Sequence, residues 1–576
     1  MSKIITIDPI SRIEGHLRVD IKVKDGRIID AWSAGTMFRG IEQILMGKDP
    51  GEAWIFTQRF CGVCTTVHAL ASVRAVENAL DLDVPINAQM IRNIIVAAHS
   101  IFDHISHFYT LSALDWVDVA SAAKADPKAA SKVAQMISPD WKGNSAAEFK
   151  AVKDKITGVL NSGQLGIFNN GYWGHKAMHL TPELNLMAVA HYLQSFEHLR
   201  KANEVVGLLG SKTPHIQNLA VGGVANAIDL NQETALNMTT LLKVKGYLDA
   251  VRDFVIQVYF PDVCAIMSQY MPWATYGIGV TDMLAVPEFP MDTRGTEFLS
   301  LGGTLIDNKI TAVKGFGDKY IEKNVAESVA HSWYDGDWEL HPYKETTEPN
   351  FTGFDHEGKY SWVKSPRFDG RRMQVGPAAQ VLTSYKLGDP LTQKYTKQFV
   401  DNVNALGAAT SVSSAADLDM NGFLNAIPST MGRHGSRVIR CAAILDLALT
   451  NWQKLVDNIG SGDLSVCNPP VYPKGEISGF GIHEAPRGFL SHWVVIKNGK
   501  IANYQAVVPS TWNLCPRDKD GNPGPTEASL IGNPIADLHE PLEALRTVHS
   551  YDPCMACAVH AFDPKGNEIG KGKTRT

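Results

Sequence analysis

Apolar and polar positions alternate in two short stretches, one near each end of the chain, and follow helical spacing through most of what lies between. In residues 4–33, "HLRVDIKV" and "RIIDAW" alternate or are rich in β-branched residues, and "KDG" joins them with Gly26 able to take positive φ. "HWVVIKNGKIANYQAVV" repeats this device around Asn498-Gly499. The pattern predicts a small sheet near each end, and the two could come together. Between them, residues 87–116, 182–209, 233–259 and 435–459 place apolar side chains at helical spacing over several turns. The first of these, as one helix, would span about 45 Å at about 1.5 Å per residue. Residues 261–380, rich in Gly, Pro, Trp and Tyr, predict packed loops with a few strands. The fold class expected is α+β, mainly helical, a bundle of long helices with small sheets or hairpins near both termini.

Composition narrows the class. With 576 residues, 44% hydrophobic and 20% charged, the chain can bury a large core, and no Gly/Ser- or Pro-rich linker divides it. One large domain, or two interlocked ones, is expected. The formal charge of −6 and scattered Lys and Arg argue against nucleic-acid binding. No run approaches the ~18 apolar residues of a membrane span, and "MSKIITIDPISRIEGH" lacks the charged-then-apolar layout of a signal peptide. Read alone, the chain is soluble and carries no export address.

The cysteines change the picture. Cys264, Cys441, Cys467 and Cys515 are scattered singly and read as small hydrophobes or idle thiols, while the other four form two pairs, Cys61/Cys64 in "RFCGVCTTVH" and Cys554/Cys557 in "DPCMACAVH". Two intervening residues let both thiolates of a pair reach one metal ion, and two pairs complete a four-thiolate set. A structural zinc site is the plain reading of such pairs. A thioredoxin-like pair lacks its βαβ frame, and haem attachment would need His directly after a pair. Against zinc, these pairs sit at opposite ends of a large chain, and Asp552, His68 and His560 stand close to them, available for hydrogen bonds or proton traffic. Soft thiolates also suit nickel and iron. Spacing alone leaves the metal open. His99, Asp103 and His107, at i, i+4 and i+8, add a possible helical metal site.

Together "RIEGH", "RFCGVCTTVHALAS", "HFYTLSALDWVDV", "HIQNLAVGG", "EAPRG", "ANYQAVVPSTWN" and "DPCMACAVH" resemble the large subunit of nickel–iron hydrogenases, from Ile5 to His560. The similarity is greatest to the membrane-associated respiratory uptake group. It implies that Cys61 and Cys554 are terminal nickel ligands, and that Cys64 and Cys557 bridge to an iron bearing carbon monoxide and two cyanides. It implies a hydrogen bond from His68 to a bridging sulfur. Arg487 would stand over the open metal position, paired with Asp103 and near Asp552. Arginine normally stays protonated, so as the base for the H2 proton it competes with a terminal thiolate. Glu14 would relay protons away, Ser510 would bond a cyanide, and Pro486 would line the pocket of the diatomic ligands. Glu42, the Ala506 carbonyl and His560 would hold a second metal, magnesium or iron, with hard donors and one imidazole.

The resemblance also accounts for the polar tail. Residues 1–560 would form a single catalytic domain, and Ala561–Thr576 would be an extension cut after His560 by a maturation endopeptidase, with nickel chaperones loading the site first. Composition by itself reads the tail as an ordinary loose terminus. No cysteine set remains for iron–sulfur clusters, so the resemblance implies a cluster-bearing small subunit, then a cytochrome b or other quinone-linked membrane relay. That partner would carry the twin-arginine signal and bring this chain to the periplasmic side of the membrane. The function expected is oxidation of H2 in anaerobic respiration. The alternatives are a non-catalytic protein with an all-cysteine zinc staple, a quinone-binding relative without metal, which the intact cysteines oppose, and a hydrogen sensor, which the tail opposes.

Overall fold

The computed structural model describes residues 2–168, 171–410 and 413–558. At the N-terminus, β1 (Lys3–Ile7), β2 (Leu17–Lys24) and β3 (Arg27–Gly35) form an antiparallel sheet in that order. Asp25 and Gly26, at φ 52° and 73°, make the expected tight turn. Leu17, Val19, Ile21 and Val23 alternate into the core, which sets the register. β1 adds a strand to the expected pair, from Lys3↔Val23 to Ile7↔Val19.

Among the long helices that follow, α1 (Thr65–Ala79), α2 (Ile86–Ser106), α3 (Pro182–Gly210), α4 (Met238–Phe254) and α5 (Thr430–Gly460) frame the site or bear on the predicted pattern. Local chemistry sets several of their ends. Thr181 Oγ1 accepts from the Leu184 amide and Pro182 opens α3. Asn237 caps α4 through the Thr240 amide, so that helix begins five residues later than the apolar spacing at 233 suggested. α2 is shorter than the 87–116 pattern, because His107–Ser112 widens into a π turn. α4 likewise runs through a π stretch, Val255–Tyr259, into a further helix at Phe260–Gln269. Beyond it, residues up to 380 hold short strands in small sheets, as expected.

The C-terminal sheet is β4 (Glu476–Ala485), β5 (Gly488–Lys497) and β6 (Lys500–Val507), antiparallel in that order, with Asn498 and Gly499 turning at φ 52° and 73°. The two terminal sheets remain separate.

α2 lies at the centre of the helical layer, packed on α3 and α5. It is buried along nearly its whole length, so its polar residues need partners. Arg92 pairs with Glu77 of α1 at 2.7 Å and also donates to the Ala220 and Gly223 carbonyls. Removing one partner of such a buried pair costs about 3–5 kcal/mol. α1 rests on β4 at backbone contact. A Cβ on Gly481 would meet the Ala71 carbonyl at 2.1 Å, and one on Gly479 the Ala79 amide at 2.3 Å. This close seat places the N-terminus of α1 against the C-terminal sheet. Among the described residues no helix is long and apolar enough to cross a membrane.

Candidate metal centre

Cys64 is the residue from which α1 starts, and the amides of Val63 and Cys64 both point at Cys61 Sγ, each at 3.1 Å. Amides at a helix N-terminus favour the thiolate form. Cys554 arrives from the other end of the chain, after α6 (Pro509–Leu514) and α7 (Leu542–Ser550) and just before α8 (Met555–Ala558). Its Sγ lies 3.2 Å from Cys61 Sγ and 3.6 Å from Cys64 Sγ. All three sulfurs lie within 4.8 Å of one another and are buried. Thiolates about 2.3 Å from a shared ion would stand at about this separation. Soft donors, close spacing and burial fit one metal ion. Cys557 lies in α8, but its side chain is outside what the structure describes, and so are His560, Ala561 and the tail.

Backbone pairing fixes the second half of the set. Glu14 forms a parallel bridge with Cys554: its amide donates to the Pro553 carbonyl at 3.3 Å, and its carbonyl accepts from the Met555 amide at 2.7 Å. Gly15 beside it sits at φ 83°, where a Cβ would lie 2.5 Å from the Ala556 amide. The Glu14 carboxylate accepts from the Ala556 amide at 3.0 Å and lies 3.4 Å from Cys554 Sγ. Burial, followed by the charge at Cys61, pushes its pKa up to about 7.

Arg487 sits in the two-residue loop between β4 and β5, closed by the Ala485↔Gly488 pair. Gly488 is required there, with φ 118° and a Cβ position only 2.2 Å from the Gly376 amide. The guanidinium donates to Asp103 Oδ2, Asp552 Oδ1 and the Asp552 carbonyl, each at 3.0 Å. Burial opposes its charge, but Asp552 and Asp103 outweigh burial and raise its pKa further. Arg487 is therefore a fixed cation. Asp103 pairs with Arg487 through Oδ2, and His107 turns to the His549 carbonyl at 2.6 Å, so His99, Asp103 and His107 do not come together as a ligand cluster. Among the described residues the candidate metal cluster is Cys61, Cys64 and Cys554. Pro486, Ser510 and His68 join Cys64, Cys554 and Arg487 around a small cavity. Ser510 Oγ accepts from the Cys554 amide at 3.1 Å. Burial, the largest influence, lowers the His68 pKa to about 4, and its Nδ1 lies 3.1 Å from His492 Nε2.

Glu42 and Ala506 also meet, through a 3.1 Å hydrogen bond from the Ala506 amide to Glu42 Oε1. Around them is a buried cluster that the sequence pattern did not single out. Lys364 Nζ lies 2.8 Å from Glu345, 3.4 Å from Glu327 and 3.9 Å from Glu42, and it donates to Gln505 at 2.8 Å. Arg39 was missed too: it donates to the Phe60 carbonyl and, at 2.7 Å, to the Ala556 carbonyl, so it ties the two cysteine segments together. None of these residues belongs to a periodic or spaced pattern. The one available signal is that Arg39 and Glu42 share the short stretch "FRGIE".

Comparison with known proteins follows the same line. A family model described as nickel-dependent hydrogenase matches residues 39–560, and one described as HoxL-like matches residues 4–32. The Hydrogenase-2 large chain of Escherichia coli (strain K12) is 50% identical over 573 residues, covering 99% of each chain. The quinone-reactive Ni/Fe-hydrogenase large chain of Wolinella succinogenes is 39% identical, over 99% of this chain and 98% of that one. Among solved structures, the Ni-Fe-Se hydrogenase of D. vulgaris Hildenborough in the reduced state superimposes with a TM-score of 0.76 at 30% identity, covering 97% of this chain and all of that one. The chain therefore belongs to the nickel-dependent hydrogenases, as a large subunit.

Proposed function

We propose that this large subunit splits H2 heterolytically at a nickel–iron centre held by Cys61, Cys64, Cys554 and Cys557, and passes the electrons through an iron–sulfur small subunit towards quinone. The observation that carries this reading is the cluster of three buried sulfurs within 4.8 Å, set beside a buried guanidinium. When bound, the centre, with its carbon monoxide and cyanide ligands, supplies an open coordination position and an acceptor for the electrons of H2. The side chains handle the proton. Arg487 is held charged by two carboxylates, so it is a poor base. Cys554 Sγ is the better one, since Glu14 Oε2 stands 3.4 Å away with a pKa near 7, able to take the proton and release it again. Arg487 instead offers a fixed positive charge beside the sulfurs, needing no reorganisation during turnover.

Glu42, the Ala506 carbonyl and His560 are assigned to a magnesium site, with Lys364, Glu327 and Glu345 balancing charge around it. Residues 1–560 are the mature domain, and Ala561–Thr576 is the extension removed once nickel is in place. Export with the small subunit to the periplasmic face, and membrane attachment through a cytochrome b or similar relay, belong to the same reading; the quinone-reactive relative supports its link to quinone.

The test is nickel, iron and zinc per chain in protein purified from its native host without oxygen. About one nickel, accompanied by iron, is expected. Stoichiometric zinc with no nickel, in chains whose tail has been removed, would reduce the four cysteines to a structural staple.

A further inference from the structure

His68 and Ser72 lie one turn apart on α1 and face β5 and β6. His68 Nδ1 is 3.1 Å from His492 Nε2, and His492 Nδ1 is 2.7 Å from the Tyr504 hydroxyl oxygen, which lies 2.9 Å from Ser72 Oγ, two hydroxyls either of which can turn to donate. All four residues are buried, so no solvent competes for these bonds. Burial also lowers the His492 pKa far below its ordinary value, which keeps the ring neutral. A neutral imidazole has one N–H and one lone pair. Both nitrogens of His492 are engaged, so a proton on one dictates the role of the other.

Two orders are possible along this chain. With Tyr504 donating to Ser72, His492 carries its proton on Nδ1 and His68 donates from Nδ1, so His68 Nε2 presents a lone pair. With the hydroxyls turned, Ser72 donates to Tyr504, Tyr504 to His492 Nδ1, and His492 Nε2–H to His68 Nδ1. His68 then carries its proton on Nε2, and His68 lines a cavity together with Cys64 and Cys554. Each group keeps one hydrogen in both orders, so only two hydroxyl rotations and two ring tautomers separate them. Negatively charged sulfurs in that cavity favour the order that ends in an N–H.

We propose that His492, held by Tyr504, is a positioning residue for the metal centre, keeping His68 in the tautomer that aims an N–H donor at cysteine sulfur when metal is bound. This rests on the reading of the cysteines as nickel–iron ligands. The donor draws charge from the sulfur and thereby tunes the metals, as outer groups around metal ligands commonly do. The β5–β6 register serves the arrangement, because His492 stands opposite Ala506, with Tyr504 two residues earlier on the same face of β6.

The test uses the heterodimer purified without oxygen, with His492→Leu, His492→Gln and Tyr504→Phe, read by nickel content, kcat against KM for H2, and the infrared bands of the iron-bound diatomic ligands. His492→Leu is expected to keep nickel, move the bands to lower frequency and lower kcat about 10-fold with KM unchanged. Tyr504→Phe should do the same more weakly, and His492→Gln, whose amide N–H can still donate to His68, should restore band positions and most of the turnover. Nickel-loaded His492→Leu and Tyr504→Phe with unmoved bands would overturn the proposal. Should His492→Leu fail to fold, the near-isosteric Tyr504→Phe decides by the same readout. A wild type loaded with zinc would overturn the metal reading and this proposal together, whereas silent variants of a nickel-loaded enzyme overturn this proposal alone.

Discussion

At the N-terminal cysteine pair, α1 begins on Cys64 itself, and the amides that reach Cys61 Sγ come from the same turn. At the C-terminal pair the carrying helix is a single turn, Met555–Ala558, and the groups that hold it come from elsewhere. Glu14 is 540 residues from Cys554, Arg39 is 517 residues from Ala556, Arg487 is 65 from Asp552, and Ser510 is 44 from Cys554. The segment just before the C-terminal pair is tied the same way. His549 bonds Asp115 at 2.7 Å and the Ser11 carbonyl at 2.9 Å, while Arg12 pairs with that same aspartate. Burial tends to raise the Asp115 pKa, but Arg12 and His549 outweigh it and hold the carboxyl well below the usual range. Identical spacing thus conceals two modes of construction. One cysteine pair is set by a local helix, and the other is seated only by contacts from distant parts of the chain, so on the proposed reading metal binding is coupled to the seating of the C-terminal segment.

Cys554→Ala breaks the comparison most completely, since no local group can replace the lost sulfur. Nickel retention is expected to be abolished and Ala561–Thr576 to remain attached, as read by metal analysis and intact mass. A processed, nickel-bearing variant would refute the ligand assignment. Arg487→Lys ranks next. A lysine keeps the charge but cannot make the forked contact with Asp103 and Asp552, so metals should be retained while turnover falls about 100-fold. Unchanged H2 oxidation would remove Arg487 from the mechanism.

The same contrast explains what could be read from the amino-acid sequence. Periodicity located α3 and α5 to within a few residues at most of their ends, because their buried stripes repeat over many turns and Thr181 and Ser429 cap them. It placed the hairpin turns at Gly26 and Gly499 for the same local reason. It overran α2, since a π turn keeps the apolar pattern while shifting its phase. The cysteine pairs stood out by spacing and donor chemistry, whereas Glu14, Asp103 and Arg487 were singled out through motifs rather than physics, as nothing in "RIEGH" says that its glutamate pairs with residue 554. Lys364, Glu327, Glu345, His492 and Arg39 escaped altogether. Each is an isolated polar residue whose role comes from partners far along the chain, and burial of that kind leaves no periodic trace.

Gly15→Ala sharpens the comparison with a smaller effect. The added methyl meets the Ala556 amide at 2.5 Å, from a backbone at φ 83° that favours glycine. Strain of about 1–3 kcal/mol should fall on the C-terminal segment alone. The expected outcome is reduced nickel content with little change in the melting of the rest of the molecule. Equal losses of nickel and global stability would mean that the segment is not an independently seated unit.

Ser510→Ala should be the mildest. Ser510 Oγ accepts from the Cys554 amide in a buried setting, and its loss leaves that amide unsatisfied. A single bond of this kind contributes about 1 kcal/mol, or roughly fivefold in a local opening equilibrium. Nickel content should stay near normal, because Glu14 and Arg39 still hold the segment. Hydrogen exchange in peptides spanning residues 553–556 should nevertheless quicken several-fold, while peptides covering 61–66 stay as protected as before. Ser510→Thr keeps the hydroxyl and should exchange like the wild type. Equal loss of protection at both cysteine segments would show that they open together, and the division into a locally built half and a tertiary-built half would then fail.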